Sequence, residues 1–118
     1  MRNGATPHNN GERRDRIAAA APRLSSETIE SIAAMLRVLA DPTRIRLIET
    51  LNDRGRATVS ALSAGLPVTQ QNVSKQLSIL HQAGIVNRRR EGVWVHYELT
   101  DFTGWWLIEQ LAGALLED

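Results

Sequence analysis

A strip of polar side chains at helical spacing is the feature of this 118-residue chain with the clearest chemical potential. Gln71, Asn72, Ser74, Lys75 and Ser78 fall on or beside one face of a helical wheel. Amides can pair with the edge of adenine in the major groove, and a lysine ammonium can reach phosphate or guanine. Since this strip contains no acid, its composition favours contact with DNA. A solvated helix face is the other interpretation.

A run of three arginines follows the polar strip. Because side chains alternate along a strand, Arg88 and Arg90 are predicted on one face and Arg89 on the other. We expect the first two to contact phosphate, although exposed strand faces often carry charge without a ligand. His96, on the next predicted strand, is expected to point outward, where it can touch phosphate.

No residue set typical of catalysis or of a metal site is found in the sequence. The chain has no cysteine, which excludes disulfides, thiolate metal ligands and cysteine nucleophiles. His8, His81 and His96 share no local spacing, and no Ser/His/Asp set or Gly-rich phosphate loop is present. We therefore predict no enzymatic activity, no cofactor and no metal. Trp105 and Trp106 are interpreted as packing residues, or as the lining of a small-molecule pocket at a dimer interface.

These residues need a scaffold, and the hydrophobic periodicity predicts a mainly α (α+β) fold. Ser25, Asp41, Thr58 and Thr69 are candidate N-caps, and the period changes from 3.6 to 2 after Gly84. A tight turn between the third and fourth helices, followed by a hairpin, predicts a winged helix-turn-helix. The predicted helices span about 25–39, 42–53, 59–65, 69–83 and 101–116, and the strands 85–90 and 93–99.

Composition and charge divide the chain further. Residues 1–24 are predicted to be a flexible tail, with a short helix possible over 12–21, and residues 25–118 to form the folded domain. Residues 69–96 carry one lysine and three arginines against one glutamate, whereas 101–118 carry four acids and no base. This asymmetry predicts that the basic segment 69–96 forms part of a surface that binds a polyanion. The acidic and apolar end of the chain is then expected to contact a different partner.

Two segments resemble the signatures of the ArsR-type (arsenic-repressor) winged-helix regulators. They are Leu39–Ile48, which reads LADPTRIRLI, and Asn72–Val86, followed by a wing containing Arg90-Glu91-Gly92 and Tyr97-Glu98-Leu99. The resemblance covers about residues 27–116 and implies a homodimeric repressor on a short palindromic double-stranded operator. The predicted DNA-binding residues are Thr69, Gln70, Gln71, Asn72, Ser74, Lys75, Ser78, Arg88, Arg90 and His96.

The resemblance also implies dimerisation through the first and last helices. Both helices have apolar arcs wider than a monomer core needs, which independently suggests a partner surface. The predicted dimerisation residues are Ile29, Ile32, Met35, Leu36, Trp105, Ile108, Leu111, Ala112 and Leu115.

The chain departs from the family at its metal sites. The family's thiol site lies on the third helix, where this chain reads Thr58–Ser63 without cysteine, and its second site on the last helix uses Asp and His. Here that helix region keeps Asp101 and Glu109 but has no histidine. We therefore predict release from DNA by an unknown small-molecule or protein effector rather than a metal. A metal site formed across the dimer, and a winged helix used only for protein contacts, remain alternatives.

No apolar run approaches the roughly 18 residues of a membrane span, and the start of the chain has no apolar signal-peptide core. We therefore expect a cytoplasmic, nucleoid-associated protein without a membrane partner.

Overall fold

The computed structural model describes residues 23–116, which contain five helices and three strands. Contacts divide the chain into two units, residues 1–34 and 35–118, and the first helix crosses that boundary. The predicted tail up to residue 22 and the short helix at 12–21 lie outside the described residues. The elements, in chain order, are α1 Ser26–Leu39, α2 Pro42–Arg54, β1 Arg56–Thr58, α3 Val59–Ala64, α4 Gln70–Gln82, β2 Val86–Glu91, β3 Trp94–Leu99 and α5 Thr103–Leu116.

The starts of the first four helices follow the predicted capping residues. At each one, a side-chain oxygen accepts a hydrogen bond from the backbone N–H three residues later, which satisfies a donor that the helix leaves unpaired. The donor–acceptor distances are 3.1 Å for Ser25, 3.0 Å for Asp41, 3.1 Å for Thr58 and 3.1 Å for Thr69.

The core of the second unit lies between α2, α3, α4 and the sheet. Leu47 and Ile48 on α2 have no exposed surface, nor do Val73, Leu77 and Leu80 on α4. The last three occupy one face of α4, as the periodicity predicts, so burying them turns the polar strip outward.

The sheet contains one strand more than predicted. Its order is β1-β3-β2, and both pairings are antiparallel, so β1 adds a third strand to the predicted hairpin. The strand β1 has only three residues, too few for an alternating pattern, and it pairs with residues about 40 positions later in the chain. Such a long-range pairing leaves no local signal in the sequence.

Two predicted boundaries are wrong. The second strand of the hairpin was expected to begin at residue 93, but Val93 lies in the turn after Gly92 (φ 65°), where it is 87% exposed, and β3 begins at Trp94. The last helix begins at Thr103 rather than near residue 101, because the Asp101 carboxylate accepts a hydrogen bond from the Thr103 N–H (2.9 Å) just before it. Within residues 23–116, no helix is both long and apolar enough to cross a membrane.

Candidate nucleic-acid interface

Helix α4 presents the predicted polar strip to solvent. Thr69 caps the helix, and the connection from α3 runs over residues 65–69, as in a helix-turn-helix. Side chains that can donate and accept hydrogen bonds with base edges and phosphate therefore stand on an unobstructed helix face of this unit. The exposed residues of the predicted set are Thr69, Gln70, Gln71, Ser74, Lys75 and Ser78.

Asn72 differs from the rest of the strip because it is half-buried and hydrogen-bonded. Its Oδ1 accepts from Gln76 Nε2 (3.2 Å), and Gln76 Oε1 accepts from Arg44 Nη1 (2.7 Å). Arg44 Nε also donates to the Val38 carbonyl (2.7 Å). Sequence reasoning missed Gln76 and Arg44. The four-residue spacing of Asn72 and Gln76 was a usable signal for their contact, whereas nothing local links Arg44 to α4.

The wing separates its three arginines as the alternation predicts. Arg88 pairs with Tyr97 and Arg90 with Val95, so both arginines lie on the face of the sheet that also carries the buried Tyr97. Together with Val59, these four residues line an open groove of about 540 Å³. Among residues 23–116, no carboxylate forms an ion pair with Arg88 or Arg90. Both guanidinium groups are therefore available to an external anion.

The opposite face of the wing is neutralised internally. Arg89 Nη2 lies 3.5 Å from Glu98 Oε1, and Arg56 Nη1 lies 3.2 Å from Glu91 Oε2. These pairs are exposed, so we assign them little stability. The pair with Glu98 nevertheless neutralises the charge of Arg89, so Arg89 adds little to the positive charge of the wing.

His96 lies on the face of the sheet opposite the buried Tyr97, as the alternation predicts, but it is largely covered there. Its side chain is only 23% exposed, and Nδ1 lies 3.3 Å from Glu91 Oε1 without hydrogen-bond geometry. The cause is β1, the unpredicted strand, because Thr58 pairs directly with His96 and covers it on one side. His96 is thus less accessible to phosphate than Arg88 or Arg90.

The predicted dimerisation residues fall into two groups by exposure. On α1, Ile29, Ile32, Met35 and Leu36 are 37–51% exposed, and on α5 Leu111 and Leu115 are 54% and 83% exposed. Trp105, Ile108 and Ala112 are half-buried, and the first two pack against the core.

Two cavities of the second unit are lined in part by predicted dimerisation residues of that unit. An apolar groove of about 340 Å³ lies between the end of α1 and α5, and its lining includes Leu36, Ile108 and Leu111. A more enclosed cavity of about 250 Å³ is lined by Trp105 among other residues, whereas Trp106 is 58% exposed and does not line it. Of the two tryptophans, only Trp105 borders the enclosed cavity.

Residues 23–116 contain no group of three or more His, Asp or Glu side chains arranged to hold a metal ion. Thr58–Ser63, where the family has its thiols, form the cap and first turns of α3 without a thiolate. The thiolate donors of the family's first site are therefore lacking at these positions.

Comparison with known proteins agrees with this geometry. A helix-turn-helix domain model matches residues 39–89. The chain is 32% identical over 72 residues to the arsenical resistance operon repressor of Escherichia coli, a match that covers 61% of this chain but only 62% of that repressor. It is 30% identical over 93 residues to the repressor of the same name in Bacillus subtilis, which covers 79% of this chain and 82% of that one.

A solved structure extends the likeness to the whole fold. The antimony-specific transcriptional repressor AntR superposes with a TM-score of 0.71 at 30% identity, over 82% of this chain and 86% of that chain. The fold and the two matching sequence segments therefore support the same family assignment. The chain belongs to the ArsR-type family of winged helix-turn-helix transcriptional regulators.

Proposed function

We propose that this protein is a homodimeric repressor that binds a palindromic operator in the cytoplasm, on nucleoid DNA. The observation that carries the proposal is the contrast within the wing. Arg88 and Arg90 lack a carboxylate partner among residues 23–116, whereas Arg89 has one. Two unpaired guanidinium groups on one face, in the same unit as an exposed amide-rich helix, suit a ligand that offers both phosphates and base edges.

The dimer is supported by the exposed apolar residues of α1 and α5. Leu111 lines the apolar groove at the end of α1 and is itself 54% exposed. Isolated apolar residues on a surface need no explanation, but a groove with apolar walls is typical of an interaction site. A two-fold dimer would place two copies of α4 in successive major grooves, about one helical turn apart.

We infer that the effector is not a transition metal. Asp101 lies just before α5 and accepts a hydrogen bond from the Thr103 N–H, whereas Glu109 lies six residues inside the helix, about 9 Å along its axis. Within residues 23–116, neither carboxylate belongs to a group of three or more His, Asp or Glu side chains that could hold one ion. The cavity beside Trp105, at about 250 Å³, offers a small organic molecule a mostly apolar site instead.

The metal-sensor alternative is tested by titrating operator binding with zinc, nickel, cobalt, cadmium and arsenite, and separately with a chelator. We expect no stoichiometric change in affinity. A more than tenfold change with any of these additions would restore the metal-sensor alternative, with a site built from both subunits.

The protein-contact alternative is tested on immobilised genomic DNA fragments. A repressor should be retained at low salt and eluted as the salt concentration rises, because phosphate contacts release counterions. Passage of the folded protein through the column at low salt would contradict the proposal and favour a winged helix that binds only protein.

A further inference from the structure

The half-buried Asn72 side chain belongs to a hydrogen-bonded chain that reaches back to the start of α2. Arg44 Nη1 donates to Gln76 Oε1 over 2.7 Å, and Gln76 Nε2 donates to Asn72 Oδ1 over 3.2 Å. A further donation from Arg44 Nε to the Val38 carbonyl, also 2.7 Å, fixes the guanidinium at the other end. These contacts all lie within residues 35–118.

The arginine determines which way both amides face. A guanidinium has only donors, so the atom of Gln76 that meets it must be the oxygen. The Gln76 nitrogen is then the atom that faces Asn72, and it can bond only to the Asn72 oxygen. Reversing either amide would place two donors against each other, so the chain has one consistent orientation.

We propose that Asn72 reads its base as a hydrogen-bond donor, with Gln76 and Arg44 as the positioning residues that impose this orientation. The inference rests on the proposed function and refines its base readout. Because Oδ1 is turned toward Gln76, the NH₂ on the other side of the Asn72 amide is the group that faces away from the hydrogen-bonded chain, and it has no partner within residues 23–116. Acceptors on the major-groove edge are guanine O6 and N7, thymine O4 and adenine N7, whereas cytosine offers a donor. Asn72 therefore selects against cytosine at the position it contacts.

The variant Gln76→Glu tests the orientation without removing the side chain. The introduced carboxylate still accepts from Arg44 but has no proton to give to Asn72. The Asn72 amide then turns, its NH₂ donates to the carboxylate, and its oxygen becomes the group that faces DNA. We expect one position in each half-site to change its preference toward cytosine or adenine, whose edges carry amino donors, by about 5- to 150-fold.

Two further variants keep the test decisive. Asn72→Asp places an acceptor at the same point directly, so it should change the preference at the same position even if Gln76→Glu does not fold. Gln82→Glu is the matched control, because Gln82 is an exposed glutamine on the same helix and outside the hydrogen-bonded chain. It should weaken binding to all sequences alike, through its added negative charge.

The readout is the set of sequences that each full-length protein selects from random duplex DNA, with melting temperatures to show that each variant is folded. A changed preference at one position per half-site in Gln76→Glu or Asn72→Asp supports the proposal. If folded variants select the same sequences as the unaltered protein, the donor assignment is wrong and the proposed function stands. If the unaltered protein selects no sequence, the proposed function fails and this inference with it.

Discussion

At the scale of single residues, the register between β2 and β3 determines which wing arginines are free to bind phosphate. Arg88 and Arg89 are adjacent in sequence, yet only Arg89 lies on the same face as Glu98 and within ion-pair distance of its carboxylate. A bound phosphate would compete with that carboxylate for Arg89. At Arg88 and Arg90 it would meet no such competitor among residues 23–116.

Arg90→Ala is predicted to weaken specific and non-specific DNA binding alike. Each phosphate that the protein no longer neutralises lowers the slope of log affinity against log salt by about one, so a dimer should show a decrease of about two. Salt titrations of binding to specific and random duplexes measure this slope. Arg89→Ala is the matched control and should leave it nearly unchanged. Equal decreases in the two variants would contradict the assignment of phosphate binding to one face.

Gln71→Ala is predicted to cost about 1–3 kcal/mol for each base that the side chain would otherwise bind, and to relax sequence preference. Gln71 is exposed near the start of α4, the end of a recognition helix that contacts bases. Gln82→Ala, near the opposite end of the same helix, is the control and should change preference little. Unchanged preference in Gln71→Ala would show that the readout residues lie elsewhere.

The sequence predicted the faces on which most of these side chains lie, because helix and strand periodicity assign faces reliably. The outward strip of α4 and the separation of Arg89 from its neighbours follow from local spacing alone. The contact between Arg44 and Gln76 joins residues 32 positions apart, and only the packed core brings them together. The low exposure of His96 was missed for the same reason, since β1 covers it on one side.

At the scale of elements, the capping residues are the main reason that the helix starts could be predicted from the sequence. Four helix starts were located from residue type, because an oxygen that satisfies free N–H groups has a strong positional preference. The three-residue strand β1 has no comparable signal in its sequence, because it forms only through its pairing with β3 in the folded chain. The start of α5 was misjudged by about two residues, within the usual uncertainty of helix ends.

Asp41→Ala is predicted to destabilise the fold by about 1 kcal/mol, because the Arg44 N–H would lose its cap at the start of α2. Urea unfolding monitored by circular dichroism measures this destabilisation. Asp53→Ala, at an exposed position near the opposite end of the same helix, is the control and should have a much smaller effect. No difference between the two variants would refute the role of this cap.

At the scale of the whole molecule, the exposed apolar side chains of α1 and α5 predict a dimer. Sedimentation should give about twice the chain mass of 13.1 kDa at micromolar concentration. Leu111→Asp should shift the protein to monomer, because it places a charge in the apolar groove between α1 and α5. Val93→Asp introduces the same charge at an 87% exposed wing-turn position and should leave the dimer intact. A monomeric unaltered protein would defeat the dimer proposal.

The most direct test of the central claim is to select binding sites for the pure protein from random duplex DNA and to count the chains bound to the selected site. A two-fold repressor with one recognition helix per protomer should select an inverted repeat. Its half-sites should be centred about one helical turn, or roughly 10 base pairs, apart, with two chains bound per site. Enrichment of no sequence, or of a single asymmetric half-site occupied by one chain, would contradict the account.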